Sequence, residues 1–221
     1  MFSDITTPNI PDFNTFSVSN GVPASSIPSG TLTTLAINTA GAASAASITG
    51  TVSAGEIILG AGIPEATYIT SWTSLSGTVS PAPLTAVSVA SASSYSIYVA
   101  WALNYALEVA IDWPGIGSGI SGYAGSYLMA VYNLALHQLL KIGQDAQGAT
   151  FFSGIRQTYG LTTLRPGVVM ASGDENTSQT LVVPEFFKNL TLSELDLLKT
   201  PYGRAYLEYA QMYGGNIVAY S

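Results

Sequence analysis

Two patterns in the sequence have residue types or spacings that chemistry uses. Gly117, Gly119 and Gly122 match the G-x-G-x-x-G pattern of a loop that holds a dinucleotide pyrophosphate. Such a loop follows a strand within a βαβ unit, whereas the residues before Gly117 have helical spacing. We therefore interpret these glycines as a turn between helices. Asp174 and Glu175 are adjacent in a predicted hairpin tip, where successive side chains diverge, so they indicate a solvated turn rather than an acid and base pair.

His137 is the single histidine of the chain, and cysteine is absent. A nucleophilic triad or a histidine-based zinc site would have only this imidazole, with no acidic residue on the same helix face. The lack of cysteine excludes disulfides and thiolate ligands. We interpret His137 as a hydrogen-bonding helix residue. The sequence thus predicts a protein that is not an enzyme, with no catalytic residue, no cofactor and no metal.

Charge is unusually sparse. Of 221 residues only 9% are charged, against about 25% in an ordinary soluble domain, while 48% are hydrophobic and the mean hydropathy is +0.35. No uninterrupted apolar stretch of about 18 residues is present, so no membrane-spanning segment is predicted. A monomer with a fully wetted surface is disfavoured, and extensive burial between neighbouring subunits is expected.

The charges are also unevenly placed. All six basic residues follow residue 140, so residues 1–140 carry a net charge of −6 and the remainder −1. A basic patch that would hold nucleic acid is missing, which argues against specific DNA or RNA binding. An acidic wall still suits a conduit along which DNA slides without sticking.

The elements that must position these residues fall into three regions. Residues 1–30 contain four prolines and little periodicity, which predicts an extended arm with at most a short helical turn. Residues 31–91 are rich in Gly, Ser and Thr with short alternating runs, which predict a small all-β sandwich or barrel. Residues 92–221 have mainly helical spacing. The fold class predicted is α+β.

The helical region is predicted in detail. An apolar stripe marks one face of its first helix, and a nearly all-apolar helix runs from about 123 to 142. A β-hairpin is expected over 167–183, with Asp174 and Glu175 at its tip. The stripe of the first helix consists of Tyr98, Trp101, Tyr105 and Val109.

The last two predicted helices each have a recognisable first turn. Thr191 and Glu194 have the spacing of a capping box, and Thr200 followed by Pro201 is typical of a helix start. The last helix carries a tyrosine stripe, formed by Tyr202, Tyr206, Tyr209 and Tyr213. The stripe fits ordinary core packing or a subunit interface, where tyrosine combines a large area with a polar tip. The acidic hairpin tip is a second candidate for an interface or for the channel wall.

Four segments resemble the head-tail connector proteins, also called neck or head-completion proteins, of tailed bacteriophages. The segments are Pro8 to Phe13 (PNIPDF), Ala130 to Ala135 (AVYNLA), Gly167 to Val169 (GVV) and Leu198 to Leu207 (LKTPYGRAYL). The resemblance covers about residues 5–28 and 94–221. In the compact members of that family the arm runs almost directly into the first helix, so residues 31–91 look like an insertion.

The resemblance implies a helical connector core and a homo-oligomeric ring of twelve subunits. It places the ring in the virion neck, assembled in the host cytoplasm, between the portal protein and tail proteins and around a channel through which DNA passes. If the β-module is an insertion, Ser29 and Ala92 should lie within about 15 Å of each other.

Two other functions are compatible with the sequence. Residues 48–69 are also similar to small Gly/Thr-rich β-modules of phage tail and surface proteins, which favours a carbohydrate- or host-surface-binding protein as the alternative. A hydrolase would require a site assembled from residues that are distant in sequence.

Overall fold

The structure is a computed structural model, and it describes residues 7–110, 124–162, 171–174, 177–180 and 191–213. Helices and a closed β-barrel are both present, in agreement with the α+β prediction. The predicted glycine turn at 117–122 lies outside the described residues.

The first element is helix α1, Ile10–Ser19, where the sequence predicted an extended arm. The Asn9 side chain caps the helix by accepting a hydrogen bond from the Asp12 amide at 2.9 Å. Pro11 lies in the first turn, where proline favours a helix because its missing N–H has no partner to lose. Phe13 and Phe16 are buried on one face of α1. The prolines therefore begin a helix here rather than preventing one.

Seven strands follow α1. They are β1 (Ser29–Ile37), β2 (Ala42–Ser44), β3 (Ser47–Gly50), β4 (Glu56–Leu59), β5 (Tyr68–Thr73), β6 (Ser76–Ser80) and β7 (Val87–Ser96). Six of them close into an antiparallel barrel in the order β1, β7, β4, β5, β6, β2, because β2 pairs with both β6 and β1. The remaining strand, β3, pairs with the first half of β1. The barrel encloses a small aliphatic core of Leu32, Leu35, Ile37, Ala43, Ala45, Ile58, Ile69, Val79 and Ala92.

The two ends of the barrel segment lie side by side. Ser29 of β1 is the register partner of Tyr95 of β7, and the Ser96 amide donates to the Pro28 carbonyl at 3.2 Å. Strand spacing places Ser29 about 11 Å from Ala92, which confirms that the ends are neighbours. The strands extend slightly beyond the predicted 31–91.

The other helices are α2 (Ile97–Ala110), α3 (Ala124–Ile142), α4 (Phe151–Tyr159), α5 (Leu192–Leu197) and α6 (Pro201–Tyr213). We call these helices together with α1 the helical body. Helix α3 is its centre, since α1, α2, α4 and α6 all pack against it, and residues 130–137 of α3 are all buried. The aromatic side chains Phe13, Phe16, Tyr132, Phe152 and Tyr206 belong to this core.

The last predicted elements are present. The capping box of α5 is formed, since the Glu194 carboxylate accepts from the Thr191 amide at 2.6 Å and the Thr191 hydroxyl accepts from the Glu194 amide at 3.3 Å. Within the predicted hairpin, β8 (Ala171–Asp174) pairs antiparallel with β9 (Thr177–Thr180). The flanking parts of 167–183 lie outside the described residues.

Candidate subunit interface

The acidic hairpin tip is placed only in part. Asp174 ends β8 as the register partner of Thr177, while Glu175 lies outside the described residues. A contact of this tip with a neighbouring subunit or with the channel wall stays a prediction.

The tyrosine stripe of α6 faces its own chain over its first half. Tyr206 is 5% exposed within the body core, and Tyr202 and Tyr209 pack partly against that core. The Tyr202 hydroxyl donates to the Asn20 carbonyl at 2.6 Å and so ties α6 to the end of α1. Tyr213 is described only as the last residue of the helix. These contacts make Tyr202 and Tyr206 part of the intramolecular core; a contact of Tyr209 or Tyr213 with a neighbour stays a prediction.

The stripe of α2 shows the opposite arrangement. Trp101 is 53% exposed, Tyr105 41% and Val109 36%, and Tyr98 packs edge-on against Trp101 with ring centroids 5.7 Å apart. The buried side of α2 is lined instead by the smaller residues Val99, Ala102, Leu103 and Ala106. The sequence predicted α2 but not that its aromatic side is exposed. The spacing of the small residues on the other side was the available indication, because small side chains allow close helix packing.

A groove lies beside this aromatic face, between α2 and α6, with α3 as its floor. It encloses about 350 Å³, and its apolar lining includes Tyr105, Val109, Leu134, Leu207 and Ala210. Exposed aromatic residues that continue into an apolar groove are typical of a surface that another protein covers.

A polar cluster closes one end of the groove. The Asp196 carboxylate of α5 lies 2.5 Å from Lys141 Nζ, 3.2 Å from Lys199 Nζ and 3.6 Å from His137 Nε2. Burial would raise the pKa of Asp196, but the hydrogen bond and positive charge of Lys141 more than offset that effect and hold the pKa below its ordinary value. Asp196 is therefore ionised, and it joins α5 to α3.

His137 lies beneath this carboxylate and is 2% exposed. Its Nδ1 lies 2.8 Å from the Thr200 hydroxyl. Burial lowers the pKa of His137 to about 4, although the nearby Asp196 acts in the opposite direction. The imidazole is thus neutral at pH 7. The acidic neighbour of His137, Asp196, belongs to α5, so the sequence of α3 alone could not predict it.

Each residue type in the segment Thr200 to Gly203 has a physical reason in the structure. The Thr200 hydroxyl accepts from the Gly203 amide at 2.9 Å and caps α6, whose first residue is Pro201. Gly203 packs so closely on the preceding α5 that a Cβ there would overlap the Leu197 carbonyl oxygen. The segment is a junction at which α1, α3, α5 and α6 meet.

The polar side chains of this cluster are engaged with one another. Thr200 is fully buried, its hydroxyl is engaged twice, and Asp196 is held by two lysines. Over the ranges given above, three or more His, Asp or Glu side chains nowhere gather in a way that could hold a metal ion. None of the helices in those ranges combines the length and hydropathy needed to span a bilayer.

Comparison with known proteins found no matching family model, no matching curated protein and no matching solved structure.

Proposed function

We propose that this chain is a structural subunit of a ring in the neck of a tailed bacteriophage. In this proposal twelve copies join the portal protein to tail proteins and surround the channel through which DNA passes. The observation that carries the proposal is the aromatic face of α2, which the chain's own core leaves exposed. The resemblance to head-tail connector proteins supplies the assembly in which such a face would be covered.

The exposed face has the composition of an interface. Trp and Tyr are enriched where proteins bind each other, and they supply much of the binding energy. Trp101 and Tyr105 lie one helical turn apart on a helix whose opposite side is already buried. In a chain with only 9% charged residues, few charges are present to keep such a face in water. Association with further copies would remove this apolar area from solvent.

Three of the four segments that carry the resemblance pack together, which supports the proposal; the fourth, Gly167 to Val169, lies outside the described residues. The Asn9 amide lies 3.3 Å from the Tyr132 hydroxyl, and the Phe13 and Tyr132 rings are 5.6 Å apart. Tyr202 adds its hydrogen bond to Asn20 from α6. The PNIPDF, AVYNLA and TPYG segments thus belong to one core, and in this proposal the barrel is an insertion into that core.

The basic side chains of the described residues are engaged within the chain. Lys141 and Lys199 hold Asp196, whereas Arg156 and Arg204 donate to the main-chain carbonyls of Gly143 and Leu198 respectively. With a net charge of −7, the protein offers phosphates little attraction. This electrostatic balance suits the lining of a DNA conduit.

Electron cryomicroscopy of virions that contain the protein tests the proposal directly. We expect a ring of this chain between portal and tail. A single copy per particle, or a location away from the neck, would show that the proposal is wrong. Glycan binding by a monomeric form would favour the surface-binding alternative instead.

A pair of variants tests the observation behind the proposal. Trp101→Ser should weaken assembly, measured by light scattering of the protein alone and after mixing with portal. Leu84→Ser is the matched control, because Leu84 is 98% exposed but lies on the barrel. Both substitutions should change the free energy of unfolding of the monomer by less than about 0.5 kcal/mol, as surface substitutions do. Equal assembly by both variants would remove the α2 face from the interface.

A further inference from the structure

A single acidic side chain lies inside the barrel. Glu56 is the first residue of β4, and its register partner is Ser96, the last residue of β7. One pair further along, Ile58 faces Ser94. Register partners point to the same side of a sheet, so Glu56 and both serines share the interior side with Ile58. This is the end of the barrel from which α2 continues.

The Glu56 carboxyl is buried without a partner. Glu56 is 3% exposed and Ser94 is fully buried. Both carboxyl oxygens and the Ser94 Oγ are shielded from solvent, and none of the three makes a hydrogen bond of good geometry. Buried polar groups are nearly always paired, so an unpaired carboxyl requires an explanation.

No counter-charge faces Glu56 from the described elements around it. Strand β7 presents the two serines, and Tyr68 of β5 pairs with Ile57, which points to the other side of the sheet. The first turn of α2 contains no acidic or basic residue. The acid of α1, Asp12, is engaged with the Asn9 side chain at 2.6 Å.

A buried carboxylate without a counter-charge is costly, and the usual response is to bind a proton. Burial raises the pKa of Glu56, and the nearby Ser94 hydroxyl and Ser53 backbone offset only part of that rise. The burial of the carboxyl and its raised pKa therefore both favour the neutral form of this side chain in the closed barrel.

The carboxyl lies next to the shortest ladder of the barrel. Strands β4 and β5 share one register pair, Ile57 with Tyr68, whereas β1 and β7 are paired along most of their length. Two further hydrogen bonds join this seam, from the Ile58 amide to Thr67 at 2.9 Å and from the Gly55 amide to Ile69 at 2.8 Å. Little backbone pairing would have to break for water to reach Glu56.

We propose that Glu56 is a proton-dependent latch of the barrel. With the carboxyl protonated, the barrel end that faces the helical body is closed. When the proton leaves, water enters along the β4–β5 seam to solvate the carboxylate, and this end of the barrel loosens. The latch is independent of ring formation.

Amide hydrogen exchange of β4 and β5 tests the latch, with protection factors corrected for the intrinsic effect of pH. Protection in the wild-type protein should fall as pH rises above 4.5, the ordinary value for Glu56, by up to about tenfold per pH unit until its higher native pKa is passed. The direction follows because the closed state binds more protons than the opened state in that window. Glu56→Gln should abolish this fall.

Glu65→Gln is the matched control, since Glu65 is an exposed acid of the same barrel and its loss should leave the wild-type profile unchanged. Identical profiles for the wild-type protein and Glu56→Gln would overturn the proposal. So would protection that depends on added Na⁺ or Ca²⁺ at pH 8, because a cation would then neutralise the carboxylate.

A measurement on the wild-type protein covers the case in which Glu56→Gln does not fold. Carbon-13 spectra of labelled glutamate side chains report each titration directly. A glutamate carboxyl with a pKa raised above its ordinary value is expected, and ordinary titration of all glutamates would overturn the proposal.

Discussion

The helical body and the barrel bury their polar groups in different ways. In the body, His137 contacts Thr200, Ser17 donates to the Phe13 carbonyl at 2.9 Å and Asn133 donates to the Met129 carbonyl at 2.7 Å. In the barrel, both carboxyl oxygens of Glu56 and the Ser94 hydroxyl are buried without such partners, whereas among the described residues of the body only the Asn14 amide oxygen is. A satisfied network fixes one arrangement of helices, whereas an unsatisfied group leaves a region sensitive to its surroundings.

The two regions should consequently respond to pH in opposite directions. Acid charges the buried His137 and removes the charge from Asp196, and both changes weaken the body. Alkali removes the proton from Glu56 and weakens the barrel. The body is thus expected to be most stable above the pH at which the barrel begins to loosen.

The largest expected effect is on the body core. Phe13→Ala should lower the free energy of unfolding by about 3 to 5 kcal/mol, because Phe13 is fully buried against Tyr132 and links α1 to α3. Denaturant titration, monitored by hydrogen exchange at single residues, measures this loss of stability. If the barrel is an independent folding unit, its own transition should not move. An equal shift in both regions would show a single cooperative unit.

Acid stability sharpens the comparison. The pKa of His137 falls from 6.5 to about 4 on folding, so its contribution is fully present above pH 6.5 and is lost as pH falls through 4. The loss amounts to up to about 3 kcal/mol at 1.36 kcal/mol per pKa unit. Unfolding midpoints of the wild-type protein and His137→Gln between pH 4 and 7 measure it. A constant difference between the two across this range would contradict the assignment.

The junction of α5 and α6 gives the next effect. Gly203→Ala should destabilise the protein near the upper end of about 1 to 3 kcal/mol, since the added methyl meets the Leu197 backbone rather than a flexible side chain. Gly154→Ala is the matched control, because nothing lies within 4 Å of a Cβ at this position of α4. That change should stabilise the helix by about 0.5 to 1 kcal/mol. Thermal unfolding distinguishes the two, and similar results at both positions would contradict the packing argument.

The smallest effects compare the two polar interiors directly. Thr200→Val should cost about 1 to 2 kcal/mol, because it removes a helix cap and leaves His137 without its partner. Ser94→Ala should change stability by less than about 0.5 kcal/mol, since the Ser94 hydroxyl makes no hydrogen bond of good geometry. Chemical denaturation of the two variants at pH 7 checks this. A larger loss of unfolding free energy for Ser94→Ala would mean that the Ser94 hydroxyl is hydrogen-bonded inside the barrel.

Local patterns in the sequence predicted much of this fold. The capping box at Thr191, the Thr200-Pro201 helix start and the change from alternating to helical spacing near Ser93 all depend on neighbours in sequence. Helix α4 was not predicted, because its Thr150 makes no side-chain cap and the more distant Asp145 carboxylate accepts from its first amides instead.

Features set by tertiary contacts could not be predicted. The acidic neighbour of His137 comes from α5, and the exposed side of α2 is decided by which of its faces packs on α3. Glycine is required at position 143, just after α3, because a Cβ there would lie 2.6 Å from the Phe152 ring. Each of these features depends on a contact with a residue of another element, which spacing within one element does not predict.

The direct passage from β7 into α2 has a mechanical consequence. Ser96 ends the strand and Ile97 begins the helix, with no loop between them to act as a hinge. Beside this connection, the chain that enters the barrel at Pro28 is hydrogen-bonded to Ser96, so two adjacent chain segments connect the barrel to the helical body. A torque applied to the barrel would therefore turn α2 itself, and with it the aromatic face by which we propose that neighbouring copies hold each other.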